Sequence, residues 1–303
     1  MKEKIILDCD NIMGLPLKEA DDGLTLLYLL GLPHINLLGI TTTFGNGTIE
    51  QVYYQTKKLV QRIGINIPVK QGDDAVDGKY NTSAARFLVE MVNQYPNEIT
   101  ILAIGPVGNL YAASRLDPDF YHKVGRIVTM GGYLGLHQDH KIAPKGIKLG
   151  YRYLHELNFS ANPEAAFDML YAPCPISIFP GQACLKAPFT RKNINQAFWW
   201  SRRFRRILKH WLITFGLYCG ILEFYLWDLL PAVYLTRPHY FEMCAFPLGS
   251  TLQDLRHGLL FENPGPKAQS IQVAKTIRNQ SDFYASLYAA WKRTAEKYPQ
   301  PQL

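Results

Sequence analysis

The chain opens with Ile5-Ile6-Leu7-Asp8-Cys9-Asp10, then ten residues, then Asp21-Asp22-Gly23-Leu24-Thr25-Leu26-Leu27-Tyr28-Leu29-Leu30. The apolar run into Asp8 reads as a buried strand, and the run from Asp21 as a helix. Four aspartates therefore fall between the end of a first strand and the start of the next helix. In open α/β sheets that edge is where ligands bind. Like charges at close range raise one another's pKa, so four acids gathered there call for a positive partner. A hard divalent cation with oxygen ligands is the simplest one.

Strand and helix patterns then alternate. Strands are expected at Lys4–Cys9, Asn36–Thr43, Ile67–Lys70, Glu98–Ile104, Arg126–Met130 and Pro175–Phe179. Helices are expected at Asp21–Leu30, Ile49–Ile63, Ser83–Gln94, Pro106–Ser114 and from Asn162 to Leu170. The last begins with an Asn N-cap, Pro at the first helical position and Glu in the first turn. This rhythm predicts an α/β fold with a mostly parallel central sheet and helices on both faces. No repeat, low-complexity segment or linker divides the chain, so residues 1–303 are read as a single domain.

Beyond residue 185 the composition changes. Residues 193–234 are rich in Trp, Phe, Tyr and Arg and read as a helical, aromatic-rich cap. Its aromatic stripe has two readings, packing on the core or walling a pocket for a flat ligand. The apolar stretch from Trp211 to Leu222 is too short to span a membrane and is expected to be a buried helix. Arg202, Arg203, Arg205, Arg206 and Lys209, with His210 beside them, fall in one short stretch, and the Arg and Lys residues there account for much of the net charge of +7. That run reads as a solvated helix face, with a membrane or nucleic-acid contact as the other reading.

Five widely spaced cysteines, with no CxxC pair, argue against a disulfide framework and against structural zinc. A reducing compartment, the cytoplasm, is expected. The first strand begins within four residues of Met1, so no signal peptide is expected.

Other polar residues fall at predicted strand ends: Asn46 after Thr41-Thr42-Thr43, Thr129 before Met130-Gly131-Gly132, and Glu156-Leu157-Asn158 before the Asn162 helix. Trp227-Asp228 precedes an apolar helix over Leu229–Leu235. In this order the chain resembles the inosine–uridine-preferring nucleoside hydrolases. That family opens with Asp-x-Asp and a nearby Asp-Asp (Asp8, Asp10, Asp21, Asp22). It continues with a Thr-rich strand and Gly-Asn (Thr41–Thr43, Gly45, Asn46) and Gly-Pro-x-x-Asn (Gly105 to Asn109). Met130-Gly131-Gly132, Glu156-Leu157-Asn158, Asn162-Pro163-Glu164-Ala165-Ala166 and the segment Trp227 to Leu235 complete the series.

The resemblance implies a nucleoside hydrolase-like fold with a Rossmann-like core, assembled as a homodimer or homotetramer. It implies Ca²⁺-dependent hydrolysis of a ribonucleoside to ribose and free base, with no nucleic-acid or membrane partner. Asp10, Asp22, Asp228 and the carbonyl of Thr129 would hold the ion, and Asp10 would deprotonate the attacking water. Asn46 would sit beside that water. Asp21 and Asn158 would bind the ribose diol, and Glu156 the 5′-hydroxyl. Glycosidic cleavage passes through an oxocarbenium-like state, which negative groups stabilise.

The chain departs from the family pattern in places. Asn11 to Ala20 is an insertion between the two acid pairs, read as a loop over the site mouth or a surface bulge. Trp227 stands where many members have the histidine that protonates the leaving base. An indole donates a hydrogen bond but is no acid. Trp227, with Tyr225 and Phe224, is expected to stack on the base instead. Gly150 replaces an Asn near the 5′-hydroxyl, and the loop Gly72–Ser83 lacks a histidine. His137 and His140 are the first replacement acids to consider; His155, His239 and His257 read as structural or exposed. Two other functions stay open: a catalytically weak ribose- or nucleoside-binding protein, and a ribohydrolase of a non-nucleoside ribosyl compound.

Overall fold

A computed structural model describes residues 2–73, 80–135, 147–149, 152–263, 265 and 268–299. His137, His140 and Gly150 lie outside them, as does part of the loop between Gly72 and Ser83.

The central sheet is built from β1 (Glu3–Cys9), β2 (Ile35–Thr42), β3 (Val69–Gln71), β4 (Ile99–Ala103), β5 (Arg126–Met130), β6 (Ile176–Phe179), β7 (Phe241–Leu248) and β8 (Gln269–Ile277). Their spatial order is β7-β8-β6-β5-β4-β1-β2-β3. All neighbours are parallel except β7 and β8. From β1 the chain first builds outward through β2 and β3, then returns to add β4, β5 and β6 on the other side. The reversal lies between β1 and β4, and a ligand crevice is expected at the strand ends there.

The helices follow from periodicity and caps. α1 (Asp21–Leu30), α2 (Ile49–Ile63) and α3 (Ser83–Gln94) have the bounds read from the sequence. Thr48 and Gln51 form a reciprocal capping box at α2, and Gly64 ends it in the left-handed conformation (φ 77°). α4 (Gly108–Leu116) starts two residues later than expected, and α5 (Pro163–Leu170) is capped by the Asn162 side chain. α3, α4 and α5 pack on one face of the sheet. α6 (Arg202–Cys219), α7 (Leu229–Thr236) and α8 (Gln280–Lys297) join α1 on the other.

The cap differs from its sequence reading in two ways. It is not continuously helical: Glu223–Tyr225 is a short strand paired antiparallel with Pro188–Thr190. Nor is the Trp211–Leu222 run buried throughout. α6 buries Phe204, Leu208, Leu212, Phe215 and Cys219 at helical spacing. Leu217 is 79% exposed, and Leu222, past the helix end, 83%. An unbroken apolar run says nothing of which residues share a face. Among the described residues no helix is long and apolar enough to cross a membrane.

The C-terminal helix α8 fastens α1. Trp291, fully buried, donates from Nε1 to Leu24 O at 3.0 Å, and Thr294 Oγ1 donates to Leu27 O at 2.6 Å. Gly31 lets the two helices close, since a Cβ there would stand 2.0 Å from Ala290 O. Trp291→Ala should therefore destabilise the fold by about 3–5 kcal/mol, measured by urea unfolding. A loss below 1 kcal/mol would show that α8 does not support α1.

Candidate active site

The acids converge at the reversal point. Asp8 ends in the buried interior of β1, where its Oδ1 accepts from Thr41 Oγ1 at 2.5 Å and Asn109 Nδ2 at 2.7 Å. Asp10 lies just past the strand end and accepts at Oδ2 from the Asn46 backbone N–H at 2.6 Å. Two glycines make room for it: a Cβ at Gly45 would stand 2.2 Å from Asp10 Oδ2, and one at Gly105 2.8 Å from Oδ1. The Gly45-Asn46 and Gly105-Pro106 turns thus close around one carboxylate.

Asp21 and Asp22 occupy the first turn of α1, and Asp228 immediately precedes α7. Both helix N-termini point their partial positive charge at these acids. Asp21, Asp22 and Asp228 each offer a carboxylate oxygen within 4.8 Å of the others, and all three are buried. The Asp228 N–H donates to Asp21 Oδ2 at 3.3 Å, across 207 residues of sequence. The Asp10 N–H donates to Asp22 Oδ1 at 3.2 Å. The tightest group thus contains Asp21, with Asp10 as its immediate neighbour.

Burial dominates the electrostatics here. It pushes the Asp10 carboxyl up to about 7, with the Asp21 charge adding and the Asn46 N–H opposing. Asp21 rises to about 6, also through burial. Asp22 and Asp228 lie well above the usual carboxylate range, through burial and then the neighbouring aspartates. Asp21 Oδ1 is buried with no hydrogen-bond partner, as is Asp8 Oδ2. Clustered, desolvated carboxylates with an orphaned oxygen fit a divalent cation with oxygen ligands.

Beside the acids opens a cavity of about 420 Å³. Asp21, Asn46, Glu156, Asn158, Trp227 and Asp228 reach its wall. Asp10, Asp22 and Thr129 are buried a layer deeper, Thr129 directly before the wall residue Met130. Asn158 Nδ2 donates to Ile104 O (3.1 Å) and Met130 O (3.0 Å), tying the turn to the ends of β4 and β5. The Glu156 carboxylate accepts from the backbone N–H groups of Gly132, Asn158, Phe159 and Ser160, at 2.8 to 3.1 Å. It holds its own turn as well as facing the cavity.

Aromatic rings also line the cavity. Trp211 and Phe215 have centroids 5.5 Å apart, Phe215 and Tyr225 6.2 Å, Tyr225 and Trp227 5.5 Å. The aromatic stripe is core on one side and, through Trp211, Phe215, Tyr218 and Trp227, cavity wall on the other. The inserted loop is built in too. Ile12 and Met13 are buried, and a Cβ at Gly23 would stand 2.2 Å from Met13 Sδ. Ile12, Leu17, Lys18 and Glu19 line the cavity, so the insertion is a loop at its mouth.

Sequence reasoning passed over Glu19, whose carboxyl is hydrogen-bonded with the Asp21 and Asn46 side chains. Its only signal was an acid two residues before Asp21. His155, grouped above with structural or exposed histidines, is exposed and lines the cavity.

A family profile, inosine-uridine preferring nucleoside hydrolase, matches residues 5–285. The chain belongs to this family. It is 31% identical over 159 residues to "Probable uridine nucleosidase 1" of Oryza sativa subsp. japonica, covering 43% of this chain and 47% of that protein. It is 28% identical over 191 residues to "Pyrimidine-specific ribonucleoside hydrolase RihB" of Escherichia coli, covering 54% and 55%. These matches span about half the length of the curated relatives. The fold matches a purine-preferring ribonucleoside hydrolase from Gardnerella vaginalis (TM-score 0.80, 20% identity, 97% of this chain and 99% of that one). It also matches an inosine-uridine preferring nucleoside hydrolase from Bacillus anthracis (TM-score 0.71, 20% identity, 97% and 100%).

The raised carboxyls set a sign for pH dependence. Between about pH 4 and 7 these groups are ionised in the unfolded chain and protonated in the folded one, so without a cation they destabilise the fold increasingly as pH rises through that window. A cation competes with those protons. Millimolar Ca²⁺ should raise the melting temperature strongly above pH 7 and little at pH 5. Equal melting curves in Ca²⁺ and EDTA at every pH would contradict the cation fit.

Proposed function

We propose that this family member is a Ca²⁺-dependent ribohydrolase, converting an N-ribosyl compound and water to ribose and a free heterocycle. The observation that carries this reading is the buried Asp21, Asp22 and Asp228 triad, with its orphaned oxygen, opening on a cavity of nucleoside size. Asp22 and Asp228, with Asp10 and the Thr129 carbonyl, would hold the ion; when bound, it orients water and sugar hydroxyls and lowers the pKa of the water.

The protein's own groups have separable tasks. Asp10 receives the proton of the attacking water at its carboxylate, which the Asn46 N–H keeps in place. Asp21 accepts from the ribose 2′-hydroxyl. Asn158 has its amide N–H₂ committed to Ile104 and Met130, so its amide oxygen accepts from the adjoining hydroxyl. Glu156, already fixed by backbone N–H groups, meets the 5′-hydroxyl. The surrounding carboxylates stabilise positive charge developing on the ribosyl ring. Trp227 and its aromatic neighbours stack on the departing ring.

Asp10→Ala should lower kcat by at least about 10²-fold. The variant should fold, because it removes a buried charge rather than a packed apolar group. Steady-state kinetics beside a melting curve checks this; a well-folded variant with retained kcat would remove Asp10 as base.

A further inference from the structure

Resting on the ribohydrolase reading, we propose that His155 is the general acid of this site, giving a proton to the leaving base as the C1′–N bond breaks. It takes the task that the Trp227 indole has no means to perform.

A departing base carries off the electron pair of the broken bond. A proton delivered to it speeds that step by about 10²- to 10⁴-fold. The donor must line the cavity, and its proton must not be held by the protein. The carboxyls of the wall are committed elsewhere. Asp21 and Asp228 belong to the cation cluster, and Glu19 is hydrogen-bonded with Asp21 and Asn46. Glu156 accepts from four backbone N–H groups. The Lys18 ammonium donates to Asn46 O at 3.1 Å. Two other acids remain among the described residues of the wall, the Tyr218 phenol and the His155 imidazole. A phenol ordinarily holds its proton to about pH 10. Imidazole is the side chain most used for this work, because it gains and loses a proton near neutral pH.

The placement of His155 supports the choice. It follows the short strand Arg152–Leu154, which packs against α6, the helix that carries Trp211, Phe215 and Tyr218. Leu154 joins the same apolar cluster as Trp211 and Trp227. The backbone is held on both flanks of His155. Leu154 O accepts from Tyr133 Oη at 3.1 Å, and Glu156 is fixed by its four N–H donors. The imidazole between them is exposed and lines the cavity. An anchored backbone near the stacking rings, with the imidazole open to the cavity, is what a proton donor to the base needs.

The chemistry balances. The water oxygen bonds to C1′, and the water's proton goes to Asp10. The C1′–N bond breaks and its electron pair stays on the base. Protonated His155 gives its proton to a nitrogen or carbonyl oxygen of that base. Neutral His155 then takes a proton from solvent as Asp10 returns one. No oxidant, reductant or co-reactant enters.

The test compares the Ca²⁺-loaded enzyme on uridine, inosine and p-nitrophenyl β-D-riboside, whose nitrophenolate leaves without a proton. His155→Gln should lower kcat for the better of the two nucleosides by at least about 10²-fold. It should change kcat for the nitrophenyl riboside by less than about threefold. His155→Asn should show the same pattern, and both variants should melt with the wild type because the ring is exposed. Equal losses on nucleoside and nitrophenyl riboside would reduce His155 to a structural part and overturn the proposal. Unchanged nucleoside turnover in a folded variant also overturns it. So does the leaving-group-dependent loss appearing in Tyr218→Phe and not in His155→Gln, which names the phenol as donor. Wild-type cleavage of the nitrophenyl riboside alone overturns the role of His155 and leaves Ca²⁺-dependent ribosyl cleavage standing. No cleavage of any of the three overturns both readings.

Discussion

The structure is organised around the cost of holding like charges out of water. Asp10, Asp21, Asp22 and Asp228 are each at most 4% exposed, and no Lys or Arg pairs with them among the described residues. A buried carboxylate without a counter-charge gives up its ionisation instead, and their raised pKa values express that. Two helix N-termini and the Asn46 N–H soften the cost without removing it. The remaining deficit is what a divalent ion would meet, and each surrounding element has a place in bringing the acids together. The sheet supplies the reversal between β1 and β4, α1 supplies an acid pair in its first turn, and α7 brings Asp228 from the far end of the chain.

Packing gives this arrangement its rigidity. α1 is buried along its whole length, clasped by α8 through Trp291 and Thr294. Gly45 and Gly105 let two turns approach the Asp10 carboxylate closer than any side chain would permit. The acids are therefore placed by backbone closure and helix docking, with few long side chains whose entropy would loosen them.

Much of this was legible in the sequence because it is local. Periodicity and capping fixed α1, α2, α3, β5 and α5, and short motifs marked the strand ends where Asp10, Asn46 and Asn158 lie. What stayed illegible was long-range or directional. The antiparallel pair β7 and β8 carries mixed, half-exposed residues, so neither strand stood out, and their pairing depends on the sheet they extend. The apolar run in α6 hid an amphipathic helix. The direction taken by Asn11 to Ala20 rests on Met13 seating against Gly23, a contact no local pattern announces; with it went the placement of Glu19 on the cavity wall. The sequence order also could not show that Asp21, more closely than Asp10, joins Asp22 and Asp228.

A crystal structure of the protein grown with Ca²⁺ tests the central claim most directly. The account predicts one strong metal peak among Asp21, Asp22 and Asp228, within coordination distance of Asp22 and Asp228 and adjacent to Asp10, with the orphaned Asp21 oxygen turned toward it or toward a water bound to it. A site empty at saturating Ca²⁺, with the carboxylates still packed against one another, would contradict it.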